Sequence, residues 1–66
     1  MRTMTVDISQ VQKGDIVIWS AYRLRVEEEP QRGAGSIRLS GRRSDGGCPY
    51  VRQWYMTGRT VRVERA

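Results

Sequence analysis

Arginine and aromatic residues are the only side chains in this sequence whose types and spacing point to a shared chemistry. Eleven arginines stand against one lysine, Lys13, and the second half of the chain interleaves Arg38, Arg42, Arg43, Arg52, Arg59 and Arg62 with Tyr50, Trp54 and Tyr55. A planar guanidinium pairs bidentately with phosphate and stacks on rings and bases. Small barrels that bind single-stranded nucleic acid combine a basic groove with aromatic rings on which bases stack, each stack worth about 1–3 kcal/mol. The expected chemistry is recognition of RNA or single-stranded DNA, largely through phosphates. A coding bias that replaces Lys by Arg across a proteome would leave the same excess, so composition alone leaves both causes open.

Other chemistries fail by count. With no histidine and one cysteine, Cys48, zinc fingers, Cys–His nucleophile pairs and disulfide frameworks cannot be assembled. A nucleophile needs a neighbouring base, and without histidine Cys48 would have to be served by a carboxylate or by Lys13; nearby Arg42 and Arg43 could make it reactive, but it reads as an incidental loop thiol. The seven acidic residues lack the spacing of a calcium loop. Glu27-Glu28-Glu29 reads as solvated charge, and Gly33-Ala34-Gly35 lacks the lysine and the following helix of a phosphate loop. The expectation is a non-catalytic protein with no metal and no cofactor. The longest apolar run, Ile16-Val17-Ile18-Trp19, is far too short for a signal-peptide core or a membrane span. A cytoplasmic protein with no membrane partner is expected.

The elements that must position these residues have the period of strands. Met4, Val6 and Ile8 alternate with polar residues as a first strand, and Val11 to Asp15 turn the chain at Gly14. Asp15 to Trp19 form a second strand, apolar on both faces and therefore central, with Trp19 expected inside. Tyr22, Leu24 and Val26 alternate with Arg23, Arg25 and Glu27. Glu28 to Gly35 reads as a loop, Ser36 to Ser40 as a strand with Ile37 and Leu39 inward, and Gly41 to Pro49 as a second loop. Tyr50 to Met56 and Arg59 to Glu64 are the last strands, joined at Thr57-Gly58. A chain of 66 residues buries only about 60% of its unfolded surface, which allows one small domain, residues 1–66. Five or six short antiparallel strands without a helix predict an all-β fold, a small SH3-like barrel, with a two-sheet sandwich as the runner-up. Closing the sheet would remove exposed edges.

Val11-Gln12-Lys13-Gly14-Asp15-Ile16-Val17, followed by Tyr22-Arg23-Leu24-Arg25-Val26, resembles the opening hairpin of the SH3-like barrels of translation proteins, in particular the first domain of elongation factor P. Glu29-Pro30-Gln31-Arg32-Gly33-Ala34 stands where that family has a Pro-Gly-Lys/Arg-Gly loop, and Ile37-Arg38-Leu39 follows as the strand. The resemblance covers about half the chain and implies that Arg32 is a loop-tip basic residue reaching toward a ribosomal partner. The sequence departs from it at Gln31, which replaces the glycine after the proline. The later strands do not match, and the family's two further barrels have no counterpart.

These readings place the ligand contacts. Outward Arg23, Arg25 and Arg38 can pair across strands with Glu27, Glu28 and Glu64, which leaves Arg42, Arg43, Arg52 and Arg59 as the uncompensated part of a net charge of +5. If the last two strands pair about Thr57-Gly58, Arg52, Trp54, Thr60 and Arg62 share one face. The expected nucleic-acid contacts are Arg42, Arg43, Arg52, Arg59, Trp54 and Tyr50, with Arg38 and Arg62 at the margin. The pattern leaves Trp54 either in the core or open as a stacking ring. The alternative function is a protein-interaction or assembly domain using a strand edge or the loops at Pro30 and Gly46, either a monomer or a weak homodimer.

Overall fold

A computed structural model describes residues 2–20, 22–44 and 50–66. Seven antiparallel strands are present: β1 Arg2–Asp7, β2 Ile16–Ile18, β3 Arg23–Val26, β4 Gln31–Gly33, β5 Ser36–Arg43, β6 Tyr50–Met56 and β7 Thr60–Arg65, with a single 3-10 turn at Ile8–Gln10. They form one sheet in the order β1-β7-β2-β3-β5, in which β4 and β6 also pair with β5. The sheet curls into a half-barrel, so the all-β class and the small antiparallel barrel expected from the sequence are what the chain adopts.

Period-two alternation decides the faces. Val17, Leu24, Val26, Ile37, Leu39, Val61 and Val63 point to the concave side and, with Ile8 and Val11, make a buried core in which every side chain is aliphatic. β-branched residues dominate this core because they pack well on a pleated surface. The core fills without either tryptophan. Trp19 is half-buried against it, and Trp54 lies outside it at 48% exposed.

Several boundaries differ from the sequence reading. Ile8 is buried as expected but sits in the 3-10 turn, where Asp7 caps the start by accepting from the Ser9 N–H at 2.9 Å. The expected loop of residues 28–35 contains β4, which forms a tight hairpin with β5: Gln31 faces Arg38 and Gly33 faces Ser36. Gly41, Arg42 and Arg43 extend β5 rather than opening a loop. Gly41 stands opposite Val26, and a Cβ built on it would lie 1.8 Å from the Arg25 carbonyl oxygen. Only glycine lets these two backbones approach so closely.

The expected hairpin of the last two strands does not form. β6 pairs along its length with β5, from Ser36–Met56 to Arg42–Tyr50, while β7 runs between β1 and β2. As a result β1 and β6, like the short β4, each keep one unpaired edge among the described residues. Aromatic side chains join the β2–β3 connection to β6. Trp19 stacks on Tyr55 of β6 with ring centroids 5.3 Å apart, and Tyr22 packs on the same indole at 5.4 Å. Burial pushes the Tyr55 hydroxyl up to about 12, and the neighbouring Tyr22 adds in the same direction.

The turn before β2 is held from the far end of the chain. Gly14 has φ +94°, a conformation that costs glycine little, and this aims the next carboxylate inward. Asp15 is buried and accepts from the Gln12 N–H at 2.9 Å and from Arg65 through Nε at 2.9 Å and Nη2 at 2.7 Å. This fork-on-fork pair locks β7 to the turn. Burial acts to raise the Asp15 carboxyl, but the Arg65 and Gln12 donors more than offset it and hold it below its ordinary value.

Candidate nucleic-acid interface

The candidate site is built on the convex face of β5 and β6. Because Ile37 and Leu39 point into the core, Arg38 and Arg42 point away from it. The antiparallel register then sets Arg38 opposite Trp54, Ser40 opposite Arg52 and Arg42 opposite Tyr50. Among the described residues the large exposed apolar side chains are Tyr50 at 45%, Trp54 at 48% and Met56 at 77%, and all three alternate with Arg52 on this one face. The Arg38 guanidinium lies 5.7 Å from the Trp54 ring centroid, within cation–π range. The indole extends over the β4–β5 hairpin, where a Cβ on Gly33 would meet it at 3.5 Å. That is ordinary van der Waals contact, so the ring lies directly against the hairpin backbone at Gly33.

Two carboxylates border the arginines. The Ser40 carbonyl accepts from the N–H groups of Glu27 at 2.9 Å and Glu28 at 3.3 Å, which fixes the segment leaving β3 beside the face. Glu27 then lies 3.5 Å from Arg42, and Glu28 lies 3.5 Å from Arg52. The Tyr50 hydroxyl donates to Glu28 at 2.9 Å. Tyr50 and then Glu28 hold the Arg52 guanidinium above its ordinary value. All four ion-pair side chains are substantially exposed, and such pairs contribute about 0–1 kcal/mol each. An incoming phosphate can displace them at little cost.

The expected ladder of ion pairs is thus rearranged. Of Arg23, Arg25 and Arg38, only Arg23 has an ion pair among the described residues, at 3.5 Å to Glu64. Glu27 and Glu28 instead pair with Arg42 and Arg52, two of the residues expected to be uncompensated. The cause is the position of the Glu27–Glu28 segment on the Ser40 carbonyl, a contact that period-two alternation does not carry. The convex arginines without an ion-pair partner among the described residues are Arg25, Arg38 and Arg62.

Three of the expected contacts, Arg43, Arg59 and Arg62, lie away from this face, and so does Arg32, the loop-tip residue that the resemblance implied. Arg43 stands opposite Leu24 and so points to the concave side, with its guanidinium 4.3 Å from the Tyr22 ring centroid. Arg62 stands on β7 between Thr5 and Ile18, across β2 and β3 from β5. Arg59 precedes β7, its carbonyl accepts from Ile8 N–H at 2.8 Å, and its charge acts on Tyr55. Arg32 is in β4 rather than at a loop tip. It donates to the Ser9 carbonyl from Nε at 3.1 Å and Nη2 at 3.0 Å, and to the Val11 carbonyl at 3.4 Å, pinning the hairpin over the 3-10 turn. Cys48 and the loop at Gly46 lie outside the described residues.

Sequence reasoning did not group Arg25 with this face. It is exposed, stands next to Arg42 in the register of β3 and β5, and continues the basic row from β6 across β5. Its outward position was legible from alternation, but its lack of a carboxylate partner was not. Among the described residues no group of three or more His, Cys, Asp or Glu is placed to hold a metal, no cavity opens on the surface, and no helix is long and apolar enough to cross a membrane. The chain has no matching protein-family model, and no curated protein or solved structure matches it.

Proposed function

We propose that this protein is a non-catalytic binding module that holds RNA or single-stranded DNA against the convex face of β3, β5 and β6. The observation that carries the reading is the exposed Trp54 ring set among Arg38, Arg42 and Arg52 on one strand pair, with Arg25 extending the row. The arginines supply phosphate contacts and Trp54 supplies a stacking surface, the combination that gives sequence-tolerant binding. A convex face without a cavity among the described residues suits an extended strand better than a small molecule.

Four phosphate contacts imply that log K falls with log salt at a slope of about −3, at roughly 0.7 per phosphate for single strands. The test is a titration of nitrogen-labelled protein with short oligonucleotides at low and near-physiological salt, read by amide NMR shifts. Shifts centred on Arg25, Arg38, Arg42, Arg52 and Trp54 that fade with salt support the reading. Arg38→Gln should lower the slope by about 0.7, and Trp54→Ala should weaken binding about fivefold or more. Still amides at low salt would refute it. A second reading, an assembly domain, rests on the unpaired edges of β1 and β6.

A further inference from the structure

We propose that β6 is the edge through which a second copy of this chain adds, antiparallel, about a twofold axis at Gln53. The inference stands apart from nucleic-acid binding and rests on the edge itself. β6 is seven residues long and pairs with β5 on one side, with no strand on the other among the described residues. Soluble proteins defend such an edge with lysine, proline, bulges or a short strand. Over Tyr50–Met56 β6 has no lysine, proline or break in register; its one charged side chain, Arg52, is drawn to Glu28, and the strand carries the exposed Tyr50, Trp54 and Met56.

The strand is complementary to itself. A twofold axis at its central residue, Gln53, sets Arg52 against Trp54 of the second copy, Tyr50 against Met56, and Val51 against Tyr55. Arginine over indole is a cation–π pair, thioether against ring is a favourable contact, and the β-branched–aromatic pair is a stabilising cross-strand combination. No like charges face each other. Each Trp54 would then lie between Arg38 of its own chain and Arg52 of the second copy. Of the other edge strands among the described residues, β4 is only three residues long, and β1 lacks these features: its exposed residues are Arg2, Thr3 and Thr5, and Asp7 at its end is engaged with Ser9.

Sedimentation or light scattering across protein concentrations up to about 1 mM, without nucleic acid, tests this; an association weaker than that corresponds to less than about 4 kcal/mol. A reversible dimer is expected. Gln53→Lys places like charges across the axis and should weaken it about fivefold or more, whereas Thr5→Lys on β1 should leave it unchanged. Paired Cα atoms in an antiparallel ladder are about 4.5–5.5 Å apart, within disulfide reach. Gln53→Cys in a Cys48→Ser background should therefore cross-link to a dimer on mild oxidation, which gives a readout even if Gln53→Lys fails to fold. A protein that stays monomeric to about 1 mM and does not cross-link, or a dimer disrupted by Thr5→Lys and untouched by Gln53→Lys, overturns the proposal. A dimer that binds no oligonucleotide would defeat the proposed function and leave this inference standing.

Discussion

The Asp15–Arg65 pair should fail asymmetrically when either partner is removed. The Asp15 side chain is 2% exposed and that of Arg65 is 24% exposed, with the closest approach at 2.7 Å. Removing one partner of a buried pair costs about 3–5 kcal/mol, mainly because the other charge is left uncompensated. Arg65→Met strands a carboxylate that has only the Gln12 N–H left, so a loss of about 3–4 kcal/mol is expected. Asp15→Asn strands a guanidinium that water can reach and keeps an acceptor for Gln12, so its loss should be nearer 2 kcal/mol. A domain of this length has about 3–10 kcal/mol of total stability, so Arg65→Met should lower the melting temperature by roughly 12 °C or more. Urea unfolding followed by circular dichroism, run on both variants and the double variant, measures the costs and their coupling.

The pH dependence of the same pair has a defined sign. The Asp15 carboxyl is held below its ordinary value in the folded chain, so its contribution is present above about pH 4 and is lost as pH falls through the lower folded value. In Arg65→Met only burial and one N–H remain. Burial then raises the carboxyl, and the variant should gain stability relative to the native chain as the pH is lowered from neutral. Losses below about 1 kcal/mol for both variants, or a larger loss for Asp15→Asn than for Arg65→Met, would refute the assignment of a buried charge pair.

Gly41→Ala should cost at least about 2 kcal/mol in thermal or urea unfolding, because its Cβ would overlap the Arg25 carbonyl oxygen; a near-neutral result would show that the β3–β5 crossing has slack. Tyr55 should ionise at about 12, above its ordinary 10, in a spectroscopic titration of the phenolate. Because the unfolded chain releases this proton first, stability should fall as pH rises from about 10 toward 12. A Tyr55 that titrates with an exposed tyrosine would mean that the bridge to Trp19 is open.

The sequence by itself determined six of the seven strands found among the described residues and which way most of their residues face. Leu24 and Val26, Ile37 and Leu39, and Val61 and Val63 are spaced by two, and a side chain's face follows directly from that period. The absence of histidine and the single cysteine bounded the chemistry in the same direct way. The half-barrel, the neighbours of each strand and the partner of each charge were decided by the tertiary structure. β4 escaped notice because Gln31-Arg32-Gly33 has no apolar alternation and becomes a strand only by pairing with β5. Gly41 looked like a loop residue, since its need for a close backbone approach exists only once β3 lies beside it. Arg42 and Arg52 looked uncompensated because the backbone bonds from Glu27 and Glu28 to Ser40 join residues far apart in the chain. Trp54 was ambiguous for a related reason: its exposure depends on an aliphatic core, drawn from several strands, that fills without it. Local period is a property of consecutive residues, whereas pairing and charge compensation depend on contacts that loop closure alone brings together.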